Sequence, residues 1–140
     1  MGGAPPALLL PRAVREEMLA QVRGAPGREV CGLLGGDGGR AHRYYPVPNV
    51  AADPAREFLL EPGAQIDAMR AMRECGESLL GIFHSHPGSP AFPSARDLAQ
   101  AAYPDTIYVI AAPGQDRIDM NAFYYDGDDF AQIDIQITET

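Results

Sequence analysis

Apolar positions change period several times along the chain, and each change marks an element. Leu8-Leu9-Leu10 is a short apolar run, followed by Pro11 and then by Val14, Met18, Leu19 and Val22 at helical spacing. That pattern predicts a buried strand leading into a helix from Arg12 to about Arg23, with Pro11 at its first position. Gly24-Ala25-Pro26-Gly27 stops the helix. From Arg28 to Leu34 the period falls to two, so Glu29, Cys31 and Leu33 face one way and Val30, Gly32 and Leu34 the other. Gly35 to Gly39 predicts a hairpin turn, Arg40 to Val47 the returning strand, Pro46 to Arg56 a loop, and Glu57 to Leu60 a further short strand. Glu61-Pro62 opens a helix to about Cys75, with Ile66, Met69 and Met72 on its apolar side and Gly76 as its cap.

Ser78 to His86 is apolar enough on both faces (Leu79, Leu80, Ile82, Phe83) to be the central buried strand. A helix from Ser94 to Ala102 and a second buried strand from Thr106 to Ala112 follow. Ile118 to Tyr125 and Phe130 to Thr138 close the chain as a hairpin around Asp126-Gly127. This order predicts an α/β fold in which a mixed central sheet is flanked by helices, without a regular β-α-β alternation. There is no internal repeat and no low-complexity segment. The chain reads as one domain over 1–140, with the Gly/Pro-rich residues 1–6 as a frayed tail.

Composition narrows the function classes. At 140 residues the chain can bury a substantial core without disulfides. The net charge is -8, there is no lysine, and the arginines are scattered, so a phosphate backbone finds no basic face and nucleic acid is excluded as an expected partner. Cys31 and Cys75 are too few for a disulfide framework and read as buried thiols in a reducing compartment. No apolar run approaches a membrane span, Leu8-Leu9-Leu10 is too short for a signal-peptide core, and Pro6 stands where myristoylation after Gly2 would want Ser or Thr. The expectation is a cytoplasmic protein without a membrane partner.

The chemistry concentrates in Gly81 to Asp97. His84 and His86 sit one residue apart at the end of the central strand, where residues i and i+2 share a face, so both imidazoles can aim at one point. The following loop holds three prolines and a glycine and delivers Asp97 as a hard oxygen ligand. Two His and one carboxylate leave one position of a tetrahedral ion open, the arrangement of a catalytic zinc. Ser94-x-x-Asp97 also matches a helix capping box, a reading compatible with metal ligation because a first helical turn is a rigid mount. Glu29 interrupts an apolar alternation. Alone it reads as the solvated end of its strand; beside the downstream histidines it reads as facing the site. His42, between two arginines, reads as an exposed strand residue, and Asp126, Asp128 and Asp129 as a solvated turn lacking the glycine and distal glutamate of a calcium loop. Cys31 is a weak candidate nucleophile.

The joint spacing of His84-Ser85-His86, seven residues, Ser94, two residues, Asp97, with Glu29 in Glu29-Val30-Cys31-Gly32-Leu33-Leu34-Gly35 upstream, resembles the signature of the JAMM (MPN-plus) zinc metalloproteases, in a compact prokaryotic-type member. The resemblance runs from about Leu8 to Ile110. It implies a curled mixed sheet flanked by helices, with a layout like that of cytidine deaminases. It also implies Zn2+ on His84, His86 and Asp97, Glu29 as the general base toward the metal's water, Ser94 as oxyanion donor, and a minor role for Ser85. The implied reaction is hydrolysis after the C-terminal Gly-Gly of a ubiquitin-like or β-grasp sulfur-carrier protein, whose tail would lie along an exposed strand edge. Three alternatives stand beside it: a non-catalytic MPN scaffold, a RadC-like DNA-associated protein, and a non-haem iron site built on the same ligand types.

Overall fold

The structure is a computed structural model and describes residues 3–140. Of the expected tail, Met1 and Gly2 lie outside the described residues, while Gly3 to Pro5 carry no regular structure. Strand β1 (Ala7–Pro11) runs into helix α1 (Arg12–Arg23), then come β2 (Cys31–Asp37), β3 (Arg40–Val47), α2 (Pro62–Glu74) and β4 (Ser78–Ser85). Helix α3 (Ala95–Gln100) and strands β5 (Thr106–Pro113), β6 (Ile118–Tyr125) and β7 (Phe130–Thr138) complete the chain. Pro11 ends β1 and is the residue before the first helical turn, one position earlier than expected, because its fixed φ suits the extended junction as well as the helix start.

The sheet is mixed, as the element order predicts, and it goes further than a curl. The strands follow the order β1-β3-β2-β4-β5-β6-β7, and β1 also pairs with β7, closing a barrel. The closing pair is parallel, from Ala7 opposite Asp134 to Pro11 opposite Thr138. On its other side β1 touches β3 only at Leu9 and Arg40. Strand β4 lies between β2, antiparallel with Cys31 opposite His84, and β5, parallel with His84 opposite Ile110. The apolar character of β4 on both faces follows from this central position.

Two apolar clusters sit on opposite faces of the sheet. Val14, Met18 and Val22 of α1 pack with Leu8, Leu10, Leu34, Phe83 and Val109. Ala68 and Met72 of α2 pack with Cys31, Leu33, Val47, Ile82 and Tyr108. The alternation in β4 therefore sends Phe83 toward α1 and Ile82 toward α2, and His84 follows Ile82 onto the α2 side.

Four expectations change. Glu57 to Leu60 forms a single antiparallel bridge, Asn49 with Leu60, instead of a strand. Ile66 is exposed and Ala68 is buried in its stead, while Met72 and the partly buried Met69 lie on the apolar side as expected. Cys31 is buried but Cys75 is exposed, since it is the C-cap residue at the end of α2, just before Gly76 at φ 73°. Regular pairing in β2 begins at Cys31, so Glu29 precedes the strand, yet it is buried and not at a solvated end. No helix among the described residues is long and apolar enough to cross a membrane.

Candidate metal centre and active site

His84 is the last ladder residue but one of β4, and His86 follows the strand directly, its N–H donating to Ala111 O at 2.8 Å so that the extended geometry continues. Both imidazoles are therefore carried by one rigid segment, with side chains 1 % and 4 % exposed. Asp97 arrives from α3, where the sequence signal for a helix start is realised in full. Ser94 Oγ accepts from Asp97 N at 3.0 Å, and Asp97 Oδ2 accepts from Ser94 N at 2.9 Å. The box holds the Asp97 carboxylate while leaving it free to face the histidines.

These three residues converge. His84 Nε2 lies 3.1 Å from His86 Nε2 and 3.3 Å from Asp97 Oδ1, and His86 Nε2 lies 3.0 Å from Asp97 Oδ2. Ligands on a tetrahedral zinc with bonds of about 2.0–2.1 Å stand roughly 3.3 Å apart, and the two imidazole nitrogens, each with one oxygen of the Asp97 carboxylate within that reach, form a cluster that a small divalent ion fits. The tautomer agrees for His86: its Nδ1 lies 2.8 Å from Pro90 O, which can only accept, so the proton sits on Nδ1 and Nε2 offers its lone pair. The ring of Phe58 stacks on His84 with centroids 4.5 Å apart and fixes its plane, while His84 Nδ1 meets no hydrogen-bond partner among the described residues.

Glu29 lies beside this group. Extending the β2–β4 register from Cys31 opposite His84 brings Val30 to Ser85 and Glu29 to His86, and the Val30–Ser85 pair is in fact bonded. Glu29 is 4 % exposed and its Oε1 has no hydrogen-bond partner among the described residues. A buried, unpartnered carboxylate oxygen is expensive to keep unless something else engages it. Burial pushes the Glu29 carboxyl up to about 7, with the neighbouring His86 pulling it down and Asp97 pushing it up. A carboxyl in that range can carry a proton back and forth near neutral pH. Burial lowers the His84 pKa, keeping the imidazole neutral and able to ligate.

Ser94 is exposed at the mouth, and its hydroxyl, used as an acceptor by the helix cap, retains its proton for donation. Ser85, given little weight on sequence, is the residue most underestimated: it is buried and its Oγ accepts from Val30 N at 2.9 Å. Cys31 drops out as a nucleophile, because burial pushes its thiol up to about 12 and its Sγ is committed to Val47 O at 3.3 Å. His42 is exposed. A groove of about 530 Å³ opens beside the cluster, with His84 and Asp97 in its floor and Ala51, Phe58, Leu60, Ile82 and Tyr103 among its walls.

A barrel carrying a His-x-His strand end, a helix-capping aspartate and a buried glutamate defines a class, and comparison with known proteins gives the same class. Residues 11–124 match the family of prokaryotic homologs of the JAB domain, and the chain belongs to that family. It is 33 % identical over 136 residues to a protein of Haloferax volcanii named desampylase, a match covering 93 % of this chain and 96 % of that one. It is 38 % identical over 96 residues to the probable TtuB-protein conjugate cleaving protease of Thermus thermophilus, covering 69 % of this chain and 64 % of that one. The crystal structure of a JAB1/MPN domain protein from Archaeoglobus fulgidus shares the fold at 17 % identity, with a TM-score of 0.59 over 91 % of this chain and 98 % of that one. The family resemblance read from the motif spacing and the architecture it implied both agree with these matches.

Proposed function

We propose that this protein is a zinc-dependent peptidase or isopeptidase that cleaves the bond after the C-terminal Gly-Gly of a ubiquitin-like or β-grasp sulfur-carrier protein. The observation that carries the reading is the meeting of three ligand atoms within 4.8 Å of one another beside a buried carboxylate that has no partner for one of its oxygens. The conjugate-cleaving activity named for the Thermus thermophilus relative points to the same substrate class.

A divalent ion on His84, His86 and Asp97 would supply Lewis acidity, bringing water toward ionisation at neutral pH and polarising the scissile carbonyl. Glu29 takes the proton from the attacking water and returns it to the departing amine, so one buried carboxyl serves both halves of the hydrolysis. The Ser94 hydroxyl donates to the carbonyl oxygen as negative charge develops there, a contribution of about 3–4 kcal/mol for one well-placed donor. Phe58, stacked on His84, keeps that imidazole from rotating. The groove admits the substrate as an extended tail, and its narrow apolar walls favour residues with little side chain next to the scissile bond. A cytoplasmic location goes with this reading, since both cysteines are free thiols.

The test is incubation with a panel of Gly-Gly-terminated fusions, with and without chelator. Metal-dependent cleavage just after the diglycine is expected. A metal-free, well-folded protein that cleaves none of them would leave a binding module in its place.

A further inference from the structure

The loop that walls the groove and the segment that carries Glu29 are tied together by one side chain. Asn49 Nδ2 donates to Glu29 O at 2.9 Å and to Glu57 O at 3.1 Å. Asn49 Oδ1 accepts from Ala51 N at 3.0 Å and from Leu59 N at 3.0 Å. A carboxamide has two N–H donors and room for two acceptor contacts, so its capacity is filled, and only one orientation of the amide satisfies all four partners. The backbone adds to the tie: Glu29 N donates to Pro54 O at 2.7 Å, and Val50 N donates to Leu59 O at 2.9 Å. Glu29 therefore has its own N–H and its own C=O bonded to, or through, the segment 49–59. The same segment places Phe58 against His84 and leaves Leu59 57 % exposed at the groove.

We infer that Asn49 is a positioning residue that ties the groove wall to Glu29, so that the wall formed by residues 57–60 holds the base in register with the metal ligands. The inference rests on the proposed peptidase activity for its kinetic consequence, but not for its structural one. Asn49 touches neither the ligand atoms nor the reacting bond; it acts through the Glu29 peptide and the Leu59 amide. Losing it frees the base to drift, which slows the chemical step while the groove walls still receive substrate.

The experiment compares the wild-type protein with Asn49→Ala and Asn49→Asp. The aspartate keeps both acceptor contacts and removes both donor contacts, so it reads the Glu29 tie even if the alanine variant fails to fold. Three quantities are measured: zinc content, kcat and KM on a cleaved Gly-Gly fusion, and backbone amide hydrogen exchange in metal-free protein. For Asn49→Asp, kcat is expected to fall on the order of 10- to 100-fold with KM changed by no more than about twofold and zinc content preserved. The Glu29 amide is expected to exchange faster in both variants, and the Leu59 amide to open with it in Asn49→Ala, where the acceptor is lost as well. A rise in KM with kcat intact, unchanged kinetics, or faster exchange at Leu59 without any at Glu29 would overturn the inference. If the wild type cleaves no fusion while the two amides still open together, the coupling stands and the substrate reading is what fails.

Discussion

Ser85 and Val30 are joined twice: Val30 N donates to Ser85 Oγ at 2.9 Å, and Ser85 N donates to Val30 O at 3.0 Å. Val30 follows Glu29 in the chain and Ser85 stands between His84 and His86, so the acid and the imidazoles share one hydrogen-bonded seam. Ser85→Ala leaves the buried Val30 amide without its acceptor, an expected loss of about 1–3 kcal/mol in urea unfolding. Cleavage activity is expected to fall with it, and Ser85→Thr to restore both. Equal unfolding midpoints for Ser85→Ala and the wild type would show that the seam holds without the hydroxyl.

Glu29→Gln is expected to lower kcat by about 10²–10⁴-fold while zinc content stays at the wild-type level. The same variant carries a pH signature in metal-free protein. Burial raises the folded carboxyl from 4.5 to about 7, so below 4.5 the acid is protonated in both states and carries no penalty. Between 4.5 and about 7 only the unfolded chain ionises, and folding stability falls as pH rises. Glutamine removes that penalty. At pH 8 metal-free Glu29→Gln should be more stable than the wild type by about 2–3 kcal/mol, and at pH 4 the two should coincide. Chemical unfolding at the two pH values checks the sign.

The pH–rate profile follows from the same group. With Glu29 as the proposed base it must be ionised to act, so kcat/KM is expected to rise with pH along an acidic limb. A bound cation favours the carboxylate, placing the midpoint of that limb at or below about 7, and Glu29→Gln abolishes it. A limb unaltered in residual Glu29→Gln activity would assign it to another group.

The helix cap that Ser94 forms and the oxyanion donation proposed for it are separable. Ser94→Ala removes the helix cap, about 0.5–2 kcal/mol, and also the hydroxyl donor. Ser94→Asp restores a capping acceptor but cannot donate when ionised. Thermal stability should therefore return in the aspartate variant while kcat remains about 10²–10³-fold down. Recovery of both together would reduce Ser94 to a structural residue.

Asp97→Asn keeps an oxygen that can face the histidines but loses the charge that a divalent ion needs. It is expected to lose zinc on dialysis, whereas the wild type retains it. Saturating zinc at 100 times its dissociation constant should stabilise the wild type by about 2.7 kcal/mol, a shift of several degrees in Tm that chelator reverses and Asp97→Asn never shows.

Periodicity located every strand of the barrel because each alternates or runs apolar for five residues or more, but it carried no information about closure. The β1–β7 pair depends on how far the sheet curls, a property summed over all seven strands. Ile66 was misplaced for a local reason: a short helix with alanines on both sides has no sharp apolar face, and Ala68 fits the sheet more closely than a larger side chain could. The meeting of His84, His86 and Asp97 was legible because the His-x-His spacing is a strand property and Ser94-x-x-Asp97 a helix-start property, both set by local geometry. Ser85 and Asn49 were not, because their importance lies in partners 55 and 20 residues away in sequence.

The parallel seam between Ala7–Pro11 and Asp134–Thr138 has a consequence for how this molecule meets others. An open sheet offers a rim of unsatisfied amides on which a foreign chain can crystallise into register, and the β1–β7 pair removes that rim along this seam. Outside the ring, Leu60 bridges Asn49 through bonds at Leu59 O and Glu61 N, on the stretch that lines the groove with His84. A visiting polypeptide that seeks main-chain partners is thereby turned away from the β1–β7 seam.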